Sequence, residues 1–519
     1  MSLFQPAERA FAEAVANLCY CNPFLPERIE LERAALGESF DEKSAVWSRQ
    51  ANWEQERPNV TRLNDRTEQL VAALRQRLDG GEKAVRDEFK LYTELVEYLL
   101  YERYRKSLAA LADESLKSPI KLRPVSFWRQ FLNDYQQLLS SAGRANPSSS
   151  DAAHLLACFF QIRRAFTHIF NSIVGSSLPA ARLRAAVWQS LFTHDMRYCR
   201  RTLYSRMGDF TTLISGPSGT GKELVARAIG LSRFIPFDPN KQRFADDLAD
   251  SFHALNLSAL SSTLIESELF GHRRGAFTGA VSDRAGWFEV CRPLGAVFLD
   301  EIGELDVSIQ VKLLRVLQTR TFQRLGESTD RTFDGKLIVA TNQDLLAKIA
   351  DGSFREDFYY RICSDIITTP SLREQLDDCP EDLGNLVLHL TQRIAGENAQ
   401  ELAADIERWI TKNLAADYAW PGNVRELEQC VRNLIIRRDY QPRSPAKNAL
   451  AADARERLAA EFLAGSLSAD ELLSRYCTLI YSRTGSYEEA ARRTHLDRRT
   501  VKSKIDAELL AQLHSAASS

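Results

Sequence analysis

Two groups of residues carry chemistry by type and spacing. The first is Gly216-Pro217-Ser218-Gly219-Thr220-Gly221-Lys222, preceded by the β-rich run from Thr212 to Ser215 and followed by an amphipathic stretch with Leu224, Val225, Ala228 and Ile229. Strand, glycine loop and helix in that order make a P-loop. Its glycines let backbone N–H groups turn toward a phosphate chain, the helix N-terminus adds partial positive charge, and Lys222 reaches the β- and γ-phosphates. Glu223 stands where Ser or Thr would touch Mg2+, so the metal must lean on other ligands. The second group closes the apolar run Gly295 to Leu299 with Asp300-Glu301. Carboxylates at the C-terminal end of a parallel strand sit beside the phosphate loop. Asp300 is placed there to hold Mg2+ through water, and Glu301 to polarise an attacking water. Together the two groups predict an ATP-hydrolysing site.

The elements that must position these residues need several cores. The chain has 519 residues, 44% hydrophobic and 26% charged, which suits three or four domains. Its net charge of −2 gives no global attraction to nucleic acid, so any DNA contact must come from a local patch. Nine cysteines occur without a CxxC pair or zinc spacing, as expected of reduced thiols; Cys19 and Cys21, the closest pair, are expected to pack on one core face. No run approaches the roughly 18 apolar residues of a membrane span. The N-terminus lacks a basic segment followed by an apolar one, and a cytoplasmic location is expected.

The predicted fold class is α/β: a P-loop ATPase core over 182–371 with an all-α lid over 372–440, preceded by a helix-rich region over 1–181. A linker over 441–469 and a helical DNA-binding unit over 470–510 follow. Apolar residues recur at helical spacing in Leu70-Val71-Leu74-Leu78 and through Phe89 to Leu100, and Tyr92, Tyr98, Tyr101 and Tyr104 form an aromatic stripe suited to a core or a partner helix. The 1–181 region carries no receiver-type phosphoacceptor pattern. Asp151 is expected to cap the helix after it. Residues 234–250 read as a surface insertion.

In the tail, Ala490, Ala491, Leu496, Val501 and Ile505 supply the contacts a helix-turn-helix packs on, and Asp497 is placed to cap a helix displaying Arg498, Arg499, Thr500, Lys502 and Lys504. From Thr484 to Lys504 six Arg/Lys face three Asp/Glu, a surplus of three on a chain that is slightly acidic overall. Basic residues at the start of such a helix suit phosphates and guanine edges in the major groove of double-stranded DNA.

Between the two ATPase groups lies Gly275-Ala276-Phe277-Thr278-Gly279-Ala280, preceded by Glu266 to His272. With these motifs the chain resembles the bacterial enhancer-binding proteins, AAA+ activators of sigma-54 RNA polymerase, and its tail resembles their Fis-like DNA-binding domain. The resemblance covers roughly half of the chain, and it implies an input module at the position of residues 1–181. It implies that the Gly275–Ala280 loop docks on the sigma-54 holoenzyme through its apolar tip. It also implies that Asn256 restrains Glu301 and that Asn342 takes the sensor I position. Arg355 and Arg361 match the family's FRxDLYYR segment. Arg361 is then the arginine supplied in trans and Arg355 its companion, which requires a homo-oligomeric ring; the size the resemblance implies is a hexamer, which the arginines themselves do not fix. Arg425, in the segment from Trp420 to Leu427, matches the sensor II arginine that reaches the phosphates, with Asn423 capping its helix. The altered segment Arg373 to Asp382 makes the lid's first helix the least certain element. The alternative function is an AAA+ ring that remodels a different protein, with the tail only localising it.

Overall fold

The computed structural model describes residues 2–44, 57–82, 84–117, 124–140, 147–245, 251–396, 399–442, 468–507 and 509–510. Most of the expected 441–469 linker and the end of the 234–250 segment lie outside them. The chain divides into two compact units, Met1–Ile436 and Arg437–Ser519. Among the described residues no helix is long and apolar enough to cross a membrane.

At the centre of the first unit is a sheet of five parallel strands: β1 (Thr212–Ser215), β2 (Phe252–Asn256), β3 (Ala296–Asp300), β4 (Lys336–Thr341) and β5 (Asp365–Thr368), in the order β5-β1-β4-β3-β2. β3 and β4 are buried over nearly their whole length, as their unbroken apolar runs require of strands covered on both faces. Their side chains alternate between two cores. Leu213, Val297, Leu299, Leu337 and Val339 meet the Ser262–Phe270, Val307–Thr319 and Glu356–Ile362 helices. Ile214, Ala296, Phe298, Ile338 and Ala340 meet the P-loop helix Lys222–Gly230.

That second core also takes in Ala165 and Ile169 of the Ser149–Ser172 helix and Val187 and Leu191 of the Leu178–Phe192 helix. The helix-rich region is therefore built into the sheet, and the boundary expected at 181/182 falls inside a helix. The first of these two helices is capped by Ser148, whose Oγ accepts the N–H of Asp151 at 3.0 Å. Asp151 thus sits in the first turn, not at the cap.

The N-terminal core is formed by the helices Pro6–Tyr20, Pro58–Asp79, Arg86–Lys117 and Trp128–Leu139, with Leu74, Leu95, Leu100 and Phe131 fully or almost fully buried. The expected surface insertion belongs to this core as well. Phe237–Asp238 pairs antiparallel with Arg243–Phe244. The Phe237 ring lies 4.7 Å from Trp128, and that of Phe244 lies 4.3 Å from Phe160. Its phenylalanines pack the described part of the segment, which follows the P-loop helix in the chain, onto the N-terminal helices.

The lid consists of the helices Leu372–Asp378, Asp382–Ala395, Ala399–Asn413 and Asn423–Arg437. Its first helix forms despite the altered sequence because Ser371 and Glu374 close a capping box: Ser371 Oγ accepts the Glu374 N–H at 3.2 Å, and Ser371 N–H donates to Glu374 Oε2 at 2.7 Å.

The second unit holds the helices Ala469–Thr484, Tyr487–Thr494 and Arg498–Ser503. They close on Cys477, Ile480, Ala490 and Val501, with Ala491, Leu496 and Ile505 packed against that core.

Candidate functional site

The glycine loop joins β1 to the P-loop helix. Gly216, Gly219 and Gly221 all have positive φ, at 145°, 79° and 89°. Two of them are also closed in by neighbours. A Cβ on Gly216 would lie 2.2 Å from Thr369 Oγ1, and one on Gly219 would lie 2.3 Å from the Gly422 carbonyl. Thr369, just past β5, was not singled out from the sequence. Its Oγ1 shares a hydrogen bond with Thr220 Oγ1 at 2.7 Å, and its N–H donates to Ser215 O at 2.8 Å. Lys222 Nζ donates to the carbonyls of Gly216 and Pro217 at 3.1 and 3.2 Å, which holds the ammonium over the loop. Burial lowers its pKa, opposed by the carboxylates of Glu301 and Asp300.

Those carboxylates stand at the end of β3. Burial raises the Asp300 pKa above the usual range, with Lys222 pulling the other way. Glu301 adopts a left-handed φ of 58°, and its Oε2 accepts the backbone N–H of Asn342 at 3.4 Å. Asn256 is the register partner of Asp300 across β2 and β3. Its side-chain Oδ1 accepts from Ser258 N–H at 3.0 Å and from Ser258 Oγ at 2.7 Å, and so caps the turn after β2. Glu223 is exposed on the P-loop helix and pairs with Arg227 at 3.4 Å.

The lid closes the third side. Asn423 Nδ2 donates to Ser218 O at 2.9 Å, Arg425 N–H to Gly219 O at 3.3 Å, and an Arg425 guanidinium N–H to Ser218 Oγ at 3.3 Å. Asn423 does not cap its own helix as expected. It has a φ of 52°, and its Oδ1 accepts the Leu372 N–H at 2.9 Å, so its amide bridges the lid's first helix to the glycine loop. The Gly422 N–H is taken by Glu426 Oε2 at 2.8 Å.

The Gly275–Ala280 loop stands on a stalk in which Gly271–His272 pairs with Arg284–Ala285. Gly275 N–H donates to Ala280 O at 2.8 Å and Ala280 N–H to Phe277 O at 3.0 Å. The Phe277 ring is half-buried, edge-on to His272 at 5.0 Å, while Thr278 and Gly279 are exposed. Two arms reach the base of this loop. From β2 and Asn256 the chain runs through the Ser262–Phe270 helix into the stalk. From β3 and Glu301 it runs through the Val307–Thr319 helix to Leu325, whose N–H and carbonyl bond Gly271 O at 2.9 Å and Arg273 N–H at 3.0 Å. The arms are tied to each other by Lys312 and Glu266 at 2.7 Å.

Arg355 and Arg361 flank the exposed start and the end of the Glu356–Ile362 helix. Arg355 forks onto Asp357 at 3.0 and 2.7 Å, and Arg361 donates to the Leu317 carbonyl at 3.2 and 2.8 Å.

In the separate C-terminal unit Asp497 Oδ1 accepts the Arg499 N–H at 2.8 Å, and Arg498, Arg499 and Lys502 are exposed. Thr500 is half-buried. Lys504 departs from expectation: it lies past the helix end, and its ammonium turns back onto Asp470.

Residues 193–368 match the family model described as the sigma-54 interaction domain, and residues 378–457 match that of the AAA+ ATPase lid domain. Over 221 residues the chain is 45% identical to a Nif-specific regulatory protein of Herbaspirillum seropedicae, covering 43% of this chain and 37% of that protein. Over 252 residues it is 39% identical to the regulatory protein AtoC of Escherichia coli strain K12, covering 48% of this chain and 50% of that protein. These matches thus span half or less of the relatives' own length. NtrX from Brucella abortus in complex with ATP aligns over 68% of this chain and 72% of its own at 24% identity, with a TM-score of 0.39.

Proposed function

We propose, from the match of residues 193–368 to the sigma-54 interaction domain and of residues 378–457 to the AAA+ ATPase lid domain, that this chain is a bacterial enhancer-binding AAA+ activator that hydrolyses ATP in a homo-oligomeric ring and uses the energy to remodel sigma-54 RNA polymerase at promoters. The observation that carries this reading is the double root of the Gly275–Ala280 loop. One arm begins at Asn256 and the other at Glu301, the strand ends that face the phosphate cradle. A change at those strand ends moves both arms relative to each other, and the loop is where they meet.

In this reading the loop amides and Lys222 bind the phosphates, and Arg425 ties the lid angle to them. Glu301, held by the Asn342 N–H, orients the attacking water. Asn256 releases Ser258 to restrain Glu301. Asp300 would hold Mg2+, which would supply positive charge against the negative charge that builds on the transferring phosphoryl group. The residues present fit it: the Asp300 carboxylate stands beside the Lys222 ammonium that would meet the same phosphates. Asp300 and the phosphates would therefore share it. Arg361 and Arg355 act on a neighbouring subunit's phosphates, and both are exposed enough to leave their present partners at little cost. The C-terminal unit holds double-stranded DNA through Arg498, Arg499 and Lys502, with Thr500 beside them.

The test is to mix the full chain, ADP with aluminium fluoride, and sigma-54. A stable complex is expected from wild type and none from Lys222→Ala. Intact ATP turnover without capture would sink the sigma-54 assignment and favour a ring acting on another protein. Specific ATPase activity should fall on dilution, and a flat profile would remove the trans role of Arg361.

A further inference from the structure

A cavity of about 140 Å³, partly open to solvent, lies where the helix-rich region meets the ATPase core. One wall is the turn from Leu18 to Pro23 with Tyr98 and Tyr101, a second is the Ser149–Ser172 helix, and the third is the arm carrying Trp188, Phe192, Met196 and Cys199. This arm leads directly into β1 and contains a π-helical turn, Cys199–Leu203, a local irregularity often found at functional sites. Cavities of this size and character, roughly 150 Å³ and apolar, admit benzene-sized molecules.

The lining decides the chemistry of the occupant. Five charged side chains reach the wall, and each already has an opposite partner: Arg28 with Glu32 at 2.9 Å, Arg200 with Glu97 at 2.6 Å, and Glu102 with Arg105 at 3.5 Å. No charge is left over for an ionic ligand. Burial raises the thiols of Cys19, Cys21, Cys158 and Cys199, the last three to about 11, 12 and 11, so all four are neutral near pH 7. Such thiols behave as small apolar groups, not as metal ligands or nucleophiles. Cys19 and Cys21, expected to pack on one core face, both border this space.

We propose that this cavity is an effector site for a small, uncharged, predominantly apolar molecule of about one ring, whose occupancy is felt at the nucleotide cradle. The route is short. Gln161, in the cavity wall, donates through Nε2 to the Ser232 carbonyl at 3.2 Å, and Arg164, one turn along, donates to the carbonyls of Arg233 at 3.1 Å and of Leu231. Leu231 to Arg233 immediately follow the P-loop helix. A ligand that shifts the Ser149–Ser172 helix therefore shifts the helix whose other end carries Lys222. This coupling rests on the nucleotide reading above; the site itself does not.

The experiment uses the full chain with toluene as the probe and benzoate as its charged counterpart. Wild type should bind toluene saturably at one site per chain by headspace partition, and benzoate at least tenfold more weakly. Cys21→Leu and Ile162→Trp, which fill the space from opposite walls, should each weaken toluene binding at least tenfold with an unchanged far-ultraviolet circular dichroism spectrum. Toluene should also change the affinity for a fluorescent ATP analogue at least twofold in wild type and not in a folded filled variant. Absent or non-saturable toluene uptake, equal binding of benzoate, or undiminished uptake by both folded variants would overturn the site. Toluene binding with unchanged analogue affinity would overturn the coupling, whereas an analogue that does not bind at all would overturn the nucleotide reading and leave the uptake result to decide the site.

Discussion

Two glycine-bearing loops of this chain look alike in sequence and are held in opposite ways. In the phosphate cradle a Cβ on Gly216 or Gly219 would collide with Thr369 or Gly422, so β5 and the lid fix the loop from outside. Around Gly275 and Gly279 a Cβ would meet nothing within 4 Å, although both residues have positive φ, at 81° and 104°. The first loop is set by tertiary contacts and the second by its own backbone and its stalk. Phosphate chemistry needs fixed donors at the moment of reaction. A loop that must engage a large partner has its ordering cost met on binding instead.

The largest expected effect sharpens that contrast. Gly219→Ala must push back Gly422 and Arg425, and a displacement of about 1 Å at a phosphate loop costs on the order of 100-fold in rate. ATP turnover should fall at least that far. Gly279→Ala meets only the backbone preference against positive φ, about 1–2 kcal/mol, confined to the loop, and should leave turnover within about twofold of wild type. Equal losses of ATPase in the two variants would break the comparison, because the two loops would then be one mechanical piece.

Next comes Phe277→Ala. The ring touches His272 on the stalk and is half-buried there. Its removal should abolish capture of sigma-54 in the presence of ADP and aluminium fluoride while ATP turnover and thermal stability stay near wild type. A fall in stability of several degrees would mean that Phe277 is a packing residue of the stalk and not a contact held ready for a partner.

What the sequence made legible follows the same division. The cradle with its strand Thr212–Ser215, the Asp300-Glu301 strand end and the tail's packing residues are local patterns: an apolar run before two carboxylates, glycines before a helix, a cap before a basic run. The misses are long-range. The apolar residues Phe234, Ile235, Phe237 and Phe244 were visible, but their partners Trp128 and Phe160 lie far upstream, and nothing in a polar-looking segment announces them. Asn423 is well suited to cap its own helix, yet two backbone groups from distant segments claim its amide. Lys504 belongs to the basic run by sequence, but the helix ends before it and Asp470 takes the charge. Thr369 carries no motif at all, and only the pairing of β5 with β1 brings it to the glycine loop.

The smallest effect tests how far the cradle's rigidity reaches. The lid that presses on Gly219 is itself anchored by Asp382, a fully buried residue 206 positions from its partner Ser176. Its carboxylate accepts from Ser176 N–H at 2.6 Å, Ser176 Oγ at 2.7 Å and Ser177 N–H at 2.9 Å. Burial pushes this carboxyl up, but the hydrogen bonds outweigh it, and the net pKa lies below the ordinary value. A group depressed in the folded state contributes stability above its unfolded pKa of about 3.9, and that contribution is lost as pH falls through the folded value. Asp382→Asn swaps a charged acceptor for an amide that also presents donors to donors, at a cost of about 1–3 kcal/mol near pH 7. The difference in melting temperature between wild type and variant should be constant from pH 7 to about 5 and close below about pH 4 as wild type takes up its proton. A gap that persists unchanged into acid would show that the anchor works by shape, not by charge.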